Sequence, residues 1–398
     1  IFGGAAGAFF LRARLQTSLQ GVIPLLLVSI WSATTLLWAD DPLTGLRRWL
    51  LVFAPGLLIC AIAASDPKPA QTFRWMIALV VSIVLVSGLF SVIVMAFWQT
   101  TIAENALRYF LMDINGWMLG VAEGGRQYEL GFYIPRYSGL TSNQNSISLF
   151  AAIGTIALAA MVRPIRGRGD IGLLLIGGLV VFLLLLSGSR ASFAMVAAGL
   201  FFVIVLRTNH PSIARLSVFL ICGLTFTLYF FTFANGSDPQ LAASEALVVS
   251  EHAKAGQIAS PSHAEVFELR ERSQVWRIAM QTIVETWLTG SGFGLVQEVV
   301  YAPLGLNTAA HSVTLSTLVE TGVIGLILTL IAWFVPVFSI TRPGRPISAN
   351  DIAIVALLVG LFVHQIVDSS VFRYHWAHFI FVYLLGASAG LSRSRASE

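Results

Sequence analysis

The stretch IGLLLIGGLVVFLLLLSGSRASFAMVAAGLFFVIVL, Ile171–Leu206, decides the class of fold. It holds two apolar runs, 171–187 and 191–206, and its one charge, Arg190, falls between them beside Gly188 and Ser189. Wound as helices, runs of about 17–25 apolar residues cross the hydrocarbon core of a bilayer. Gly188 suits the tight turn, and the small residues around it let the two helices approach. Ile171–Leu206 is therefore a helical hairpin in a membrane with an arginine at its tip.

Working outward, similar runs recur near 22–38, 49–65, 74–97, 145–162, 216–234, 313–339, 351–370 and 376–391, about ten in all, with the end of another at 1–11. The chain has 398 residues, 56% hydrophobic and 11% charged, with a mean hydropathy of +0.80. Soluble domains carry roughly 25% charged residues. The expected fold is an all-α polytopic membrane protein of about ten to twelve spans. It divides into N-terminal spanning helices over 1–234, a helical outer loop over 235–312 and C-terminal spanning helices over 313–398. The sequence opens at Ile1 in an apolar run without Met, which reads as a cut through an earlier span; no cleavable signal peptide is visible. Cys60 and Cys222 lie in apolar runs and read as packing residues.

The connecting loops alternate. Short basic ones carry Arg12 and Arg14, Lys68 and Arg74, Arg163, Arg166 and Arg168, Arg207 and Arg215, Arg342 and Arg345, and Arg393 and Arg395. The positive-inside rule puts these in the cytoplasm. The remaining connections, 39–48, 98–144, Arg190, 235–312 and 371–375, then face outward, which in a bacterial inner membrane means the periplasm. Trp117, Tyr128, Phe132 and Tyr133 in the first long loop suit an interface. In the second, Ser262–Glu265 resembles a capping box, and Trp276, Met280, Ile283, Val284 and Trp287 recur at helical spacing until Gly290-Ser-Gly-Phe-Gly294 ends the helix. The net charge is +4, and of the 24 basic residues only Lys68 and Lys254 are lysines. Arginine holds phosphate bidentately, although a GC-rich genome produces the same bias.

Several outward-facing residues carry chemistry, each beside a plainer explanation. Arg190 is a phosphate ligand or a snorkelling interface residue. Arg136-Tyr-Ser-Gly-Leu-Thr-Ser-Asn143-Gln-Asn145 is a dense donor set or a capped helix start. Arg270, Arg272 and Arg277, with Trp276 one turn from Arg272, form a cationic face or a solvated one. His311 is near neutrality in its reference state and can accept a proton, or it is structural. Glu320 falls inside a span and needs a buried partner; it reads as half of an internal pair more than as a catalyst. His364, Asp368, Arg373, His375 and His378 gather around the last outer turn but do not follow zinc-ligand spacing. Asp40, Asp41, Arg47 and Arg48 suit lipid headgroups. There is no Walker loop, D-x-D pair or nucleophile elbow. ATP or a cytoplasmic nucleotide sugar is therefore not the expected energy source, and an activated donor arriving in the membrane fits better.

Taken together, Arg136–Asn145, Ser187-Gly-Ser-Arg190, Arg272-x-x-x-Trp276 followed by Gly290–Gly294, and His311 followed by Leu318-Val-Glu-Thr-Gly322-Val-Ile-Gly325 resemble the O-antigen ligase and polymerase superfamily over roughly 25–390. The resemblance implies a metal-independent, inverting glycosyltransferase without cofactor. Its donor is a glycan on undecaprenyl diphosphate, and the acceptor is a sugar hydroxyl of lipid A–core at the periplasmic face. Membrane lipid is the surrounding solvent, and nucleic acid is not an expected partner. The motif arginines carry over to Arg190 and Arg272, and the motif histidine to His311. Arg136 joins them on local chemistry, with Arg270, Arg277, Trp276, Glu320 and Asn143 in support. One departure is Ser312 after His311, where the family often has Asn. A polymerase using the same donor is the near alternative. A transporter of polyprenyl-linked glycans is a more distant one, since it predicts charges near the midplane and repeat symmetry.

Overall fold

The computed structural model describes residues 22–98, 126–127, 133–134, 144–162, 168–187, 189–235, 276, 279–301, 312–366, 371–373 and 375–396. A helix stands at each of the ten stretches expected to span. They are α1 (Val22–Trp38, its last turn a 3-10 helix), α2 (Pro42–Ser65), α3 (Pro69–Trp98), α4 (Gln144–Met161), α5 (Arg168–Ser187), α6 (Arg190–Arg207), α7 (Pro211–Asn235), α9 (Val313–Ile340), α10 (Ala349–Ile366) and α11 (Trp376–Ala396), with a short α8 over 279–286. Five pass by length and apolar content alone as membrane spans: α2, α3 over Pro69–Phe90, α6, α9 and α10. Shorter apolar helices lie at Val22–Trp38, Asn145–Met161, Leu174–Leu185 and Pro211–Thr225. The described residues outside helices and their connections are one two-residue ladder, Arg126–Gln127 antiparallel to Tyr133–Ile134.

The chain forms two compact units. The first gathers Ile1–Asp66, Arg215–Ser339 and Gln365–Glu398; the second gathers Pro67–Ala214 and Ile340–His364. In the second, α4 lies against α3, α5 and α6. Gly199 of α6 sits where a Cβ would come within 2.5 Å of Ile156, and Gly360 of α10 within 2.9 Å of the Met195 carbonyl. Lipid tails are as apolar as leucine, so helices in a membrane gain by close approach over small residues rather than by apolar burial. The first unit uses the same device: α2 and α11 cross with Gly386 over the Cys60 carbonyl. Phe53 of α2 anchors that core, its ring 5.3 Å from Phe293 and 5.9 Å from Phe372. The N-cap of α2 is Asp41. Hydrogen bonds from Thr44 hold its carboxyl below the usual carboxylate range.

Arginines near helix ends close carbonyls that the helices leave open. Arg207 donates to Ala160 O at 3.1 Å and to Val162 O, at the end of α4. Arg393 donates to Asp66 O at 3.1 Å, at the end of α2, and Arg215 to Phe338 O at 3.4 Å, in the last turn of α9. A helix C-terminus is the negative end of its dipole and favours a cation.

The sequence reads 313–339 as one continuous span, but α9 is broken. Gly322 has φ 66° and ψ −169°, and the helix stops and restarts there. Only glycine adopts this backbone without penalty. Orphaned backbone groups at a break are costly in a membrane, and here the segment 287–292 supplies partners. Ser291 N and Gly292 N donate to Val319 O (2.8 Å) and Glu320 O (2.9 Å). In return Val323 N and Ile324 N donate to Trp287 O (2.8 Å) and Leu288 O (3.4 Å). Trp31 Nε1 closes Thr321 O at 2.8 Å. The two strands of this exchange press together at glycines: a Cβ on Gly322 would lie 2.3 Å from Leu288 O, and one on Gly290 2.4 Å from the Glu320 carbonyl carbon.

Gly322→Ala is therefore expected to be among the most destabilising single substitutions, above about 4 kcal/mol. The readout is the monodisperse fraction and thermal midpoint in detergent. Gly177→Ala, in open space on α5, is the control and should change stability by no more than about 1 kcal/mol. Equal behaviour of the two variants would refute the account of the break.

Candidate functional site

Arg190 is the first residue of α6 and is exposed. Before it stands Ser189, 8% exposed and in extended conformation (φ −80°, ψ 111°), whose side chain makes no capping hydrogen bond. Next to this helix start lies another. Ser148 in the first turn of α4 donates to Asn145 O at 2.9 Å, and its oxygen is 2.8 Å from the Ser192 hydroxyl. Ser148 has one proton and it is used, so Ser192 donates. The N-terminal turns of α4 and α6 are thus stitched side by side. Helix N-termini point amides outward and carry partial positive charge, so a paired start beside an arginine has the chemistry of an anion site. Arg136 and Asn143, which precede α4 in the chain, lie outside the described residues.

The start of α9 shows why Ser312 is tolerated. Its hydroxyl accepts from Leu315 N at 3.3 Å, and its carbonyl accepts from Ser316 N at 3.0 Å. It is fully buried and acts as the N-cap. Asn is an equally good cap, so the departure from the family's Asn preserves the helix start that follows His311. His311 itself, with Arg270, Arg272 and Arg277, lies outside the described residues. Trp276 is half-buried against the cluster of Ala279, Ile283, Leu315 and Val319.

Glu320 sits two residues before the break in α9 and is 3% exposed. Its Oε1 accepts from Arg373 Nη2 at 2.8 Å and from Val296 N at 3.2 Å. One carboxylate thus fastens α9 to the turn before α11 and to the segment after the glycines. Close by in the same unit, Arg48 makes a bidentate pair with Glu298, both contacts 2.8 Å, and donates to Gly294 O. Trp38 Nε1 donates to Gly290 O at 3.0 Å, and Phe293 N to Thr35 Oγ1 at 3.0 Å. Arg48, expected at lipid headgroups, is spent on the glycine turn instead.

Of the cluster around the last outer turn, Arg373 belongs to Glu320. His378 is buried with Nε2 3.1 Å from Val52 O, which fixes the proton on that nitrogen. Asp368 lies outside the described residues. Among the described residues no group of three His, Cys, Asp or Glu is arranged to hold a metal ion. Sequence reasoning missed Arg373 as the partner of Glu320, Ser189 as an uncapping cap residue, and Trp31 and Trp38, which close backbone carbonyls at the break and the glycine turn. A lone intramembrane carboxylate signals that a partner exists, but nothing local says that it is 53 residues away.

Because Arg373 keeps only 28% of its side chain exposed and Glu320 4%, removing one partner strands the other. Glu320→Leu alone is expected to cost about 3 kcal/mol, and Glu320→Leu with Arg373→Met clearly less than the two singles combined. A double-mutant cycle by thermal unfolding checks this; simple additivity would show that the pair is not coupled.

No curated protein matches the chain. Residues 171–330 match the family model described as O-antigen ligase. That region runs from α5 to the middle of α9. It takes in Arg190, Arg272, His311, the glycine turn and Glu320, and it leaves out Arg136 and Arg373. Over this stretch, which holds Arg190, the glycine turn and the break in α9, the chain is similar to the O-antigen ligase family.

Proposed function

We propose that the protein is an O-antigen ligase. It moves a glycan from undecaprenyl diphosphate to a sugar hydroxyl of lipid A–core, at the periplasmic face of a bacterial inner membrane, without a metal or cofactor. The observation that carries this reading is the paired helix start at Arg190, where Ser189 leaves the α6 amides uncapped. That is a place for the charge of a diphosphate. The ends joined by Arg207, Arg215 and Arg393 support the sidedness, since each bond links two ends that the loop charges assign to the cytoplasm. The regions held by Arg48, Glu320 and Trp38 are all assigned to the outside by the same count.

In this reaction the bond between the anomeric carbon and the phosphate oxygen breaks, and one between that carbon and the acceptor oxygen forms on the opposite face. Arg190, Arg272 and Arg136 bind the diphosphate and take up the charge it gains on leaving, in bidentate contacts that strengthen as the bond breaks. His311 accepts the acceptor's hydroxyl proton and later releases it to water. Two large lipid-linked substrates held in one plane supply much of the remaining rate. On the sequence reading, the segment 241–289 serves as the wall of the groove, where Arg270, Arg277 and Trp276 assist. Asn143 adds a donor, and Glu320 acts by holding α9 in place.

Purified protein in detergent, given lipid-linked glycan and lipid A–core, is expected to yield capped lipid A–core, with the rate unchanged by EDTA. Arg190→Ala lowers that rate by roughly 10²–10³-fold and Arg190→Lys by less, as removal of a charge-stabilising donor does. Retention of near wild-type rates by folded Arg190→Ala or His311→Ala would remove those residues from their roles. Longer lipid-linked glycan with no capped product would identify the polymerase instead.

A further inference from the structure

Inside the first unit, beneath the start of α9, is a polar pocket that the proposed chemistry does not use. Its lining includes Ser32, Ser316, Thr317, Glu320, Thr329 and Arg373. Ser316 and Thr329 are 5% and 2% exposed, and neither hydroxyl has a hydrogen-bond partner. They stand 13 residues apart on α9, yet both reach one pocket lined from α1, α9 and the turn before α11. A buried hydroxyl without a partner is strongly unfavourable, and two at one pocket mark a place for a polar guest.

We infer that this pocket binds one ordered water molecule, held by the Ser316 and Thr329 hydroxyls beside the Glu320–Arg373 pair. Size and charge select the guest. The space left among these side chains admits a water-sized group and not a sugar ring. Glu320 already faces a guanidinium at 2.8 Å, so the pocket has no surplus negative charge to hold a cation. A water needs two to four polar partners, and the two hydroxyls with the carboxylate provide them. The bound water fills the space beside the broken helix and joins its two halves through side chains, as the segment 287–292 joins them through the backbone.

The test is a double-mutant cycle on Ser316→Ala and Thr329→Val, read as the thermal midpoint in detergent, with density maps of the unsubstituted protein at about 2 Å or better. Both substitutions nearly conserve shape. Loss of a shared water is expected to lower the midpoint by about 2–4 °C for each single variant. The double variant should fall by less than the sum, because the second change finds the water already gone. A solvent peak within hydrogen-bond distance of both hydroxyls is expected in the map. If Thr329→Val leaves the midpoint unchanged or raises it, the hydroxyls are truly unpartnered and the inference fails. A midpoint that rises with sodium but not with choline chloride also overturns it, in favour of a cation. None of these readouts depends on glycosyl transfer, so the inference stands or falls apart from the proposed function.

Discussion

The structure depends on the exchange of backbone hydrogen bonds between the break in α9 and the segment 287–292. A helix interrupted at membrane depth leaves amides and carbonyls with no water to satisfy them, a cost of several kcal/mol for each group. Here those groups find partners in a second broken chain. Ser291 and Gly292 donate to the first half of α9, and Trp287 and Leu288 accept from the second. Each side solves the other's deficit. Neither Gly322 nor Gly290 tolerates a side chain, because the strands meet at sub-contact distance for any Cβ.

The polar side chains of the first unit are arranged around that junction. Arg48 reaches Gly294 and Glu298, Trp38 reaches Gly290, and Glu320 collects Arg373 and Val296 N. All of them serve the segment leaving α8 or the break it fills. In transporters, broken helices offer their dipole ends to a substrate. In α9 the carbonyls of Val319, Glu320 and Thr321 and the amides of Val323 and Ile324 are already occupied. Such a junction is a fixed mount for the chain on either side, including the start of α9 capped by Ser312, just after His311.

Much of this was legible in the sequence, for identifiable reasons. Long apolar runs such as Ile171–Ser187 report helices because only a helix satisfies its own backbone in lipid, and a helix stands at each of the ten expected stretches. The charge alternation of the loops sorts the helix ends into two sets, and the arginine caps at Ala160, Asp66 and Phe338 join ends of one set. Ser187-Gly-Ser-Arg190 announces a tight turn with an exposed arginine because glycine and small residues have few other uses between two spans. The site was less legible. Glu320 signals only the need for a partner, and Arg48 has the same sequence signature at a lipid surface as on a glycine turn.

The sequence by itself determined that this is a membrane protein, where its helices lie, and which residue types are too costly in lipid to be accidental. Those properties depend on transfer from water, which each residue carries wherever it sits. Only the tertiary structure decided that α9 breaks at Gly322, that Arg373 answers Glu320, and that the starts of α4 and α6 stand side by side through Ser148 and Ser192. Each joins residues tens to hundreds of positions apart, through hydrogen bonds whose value depends on geometry that no local pattern encodes.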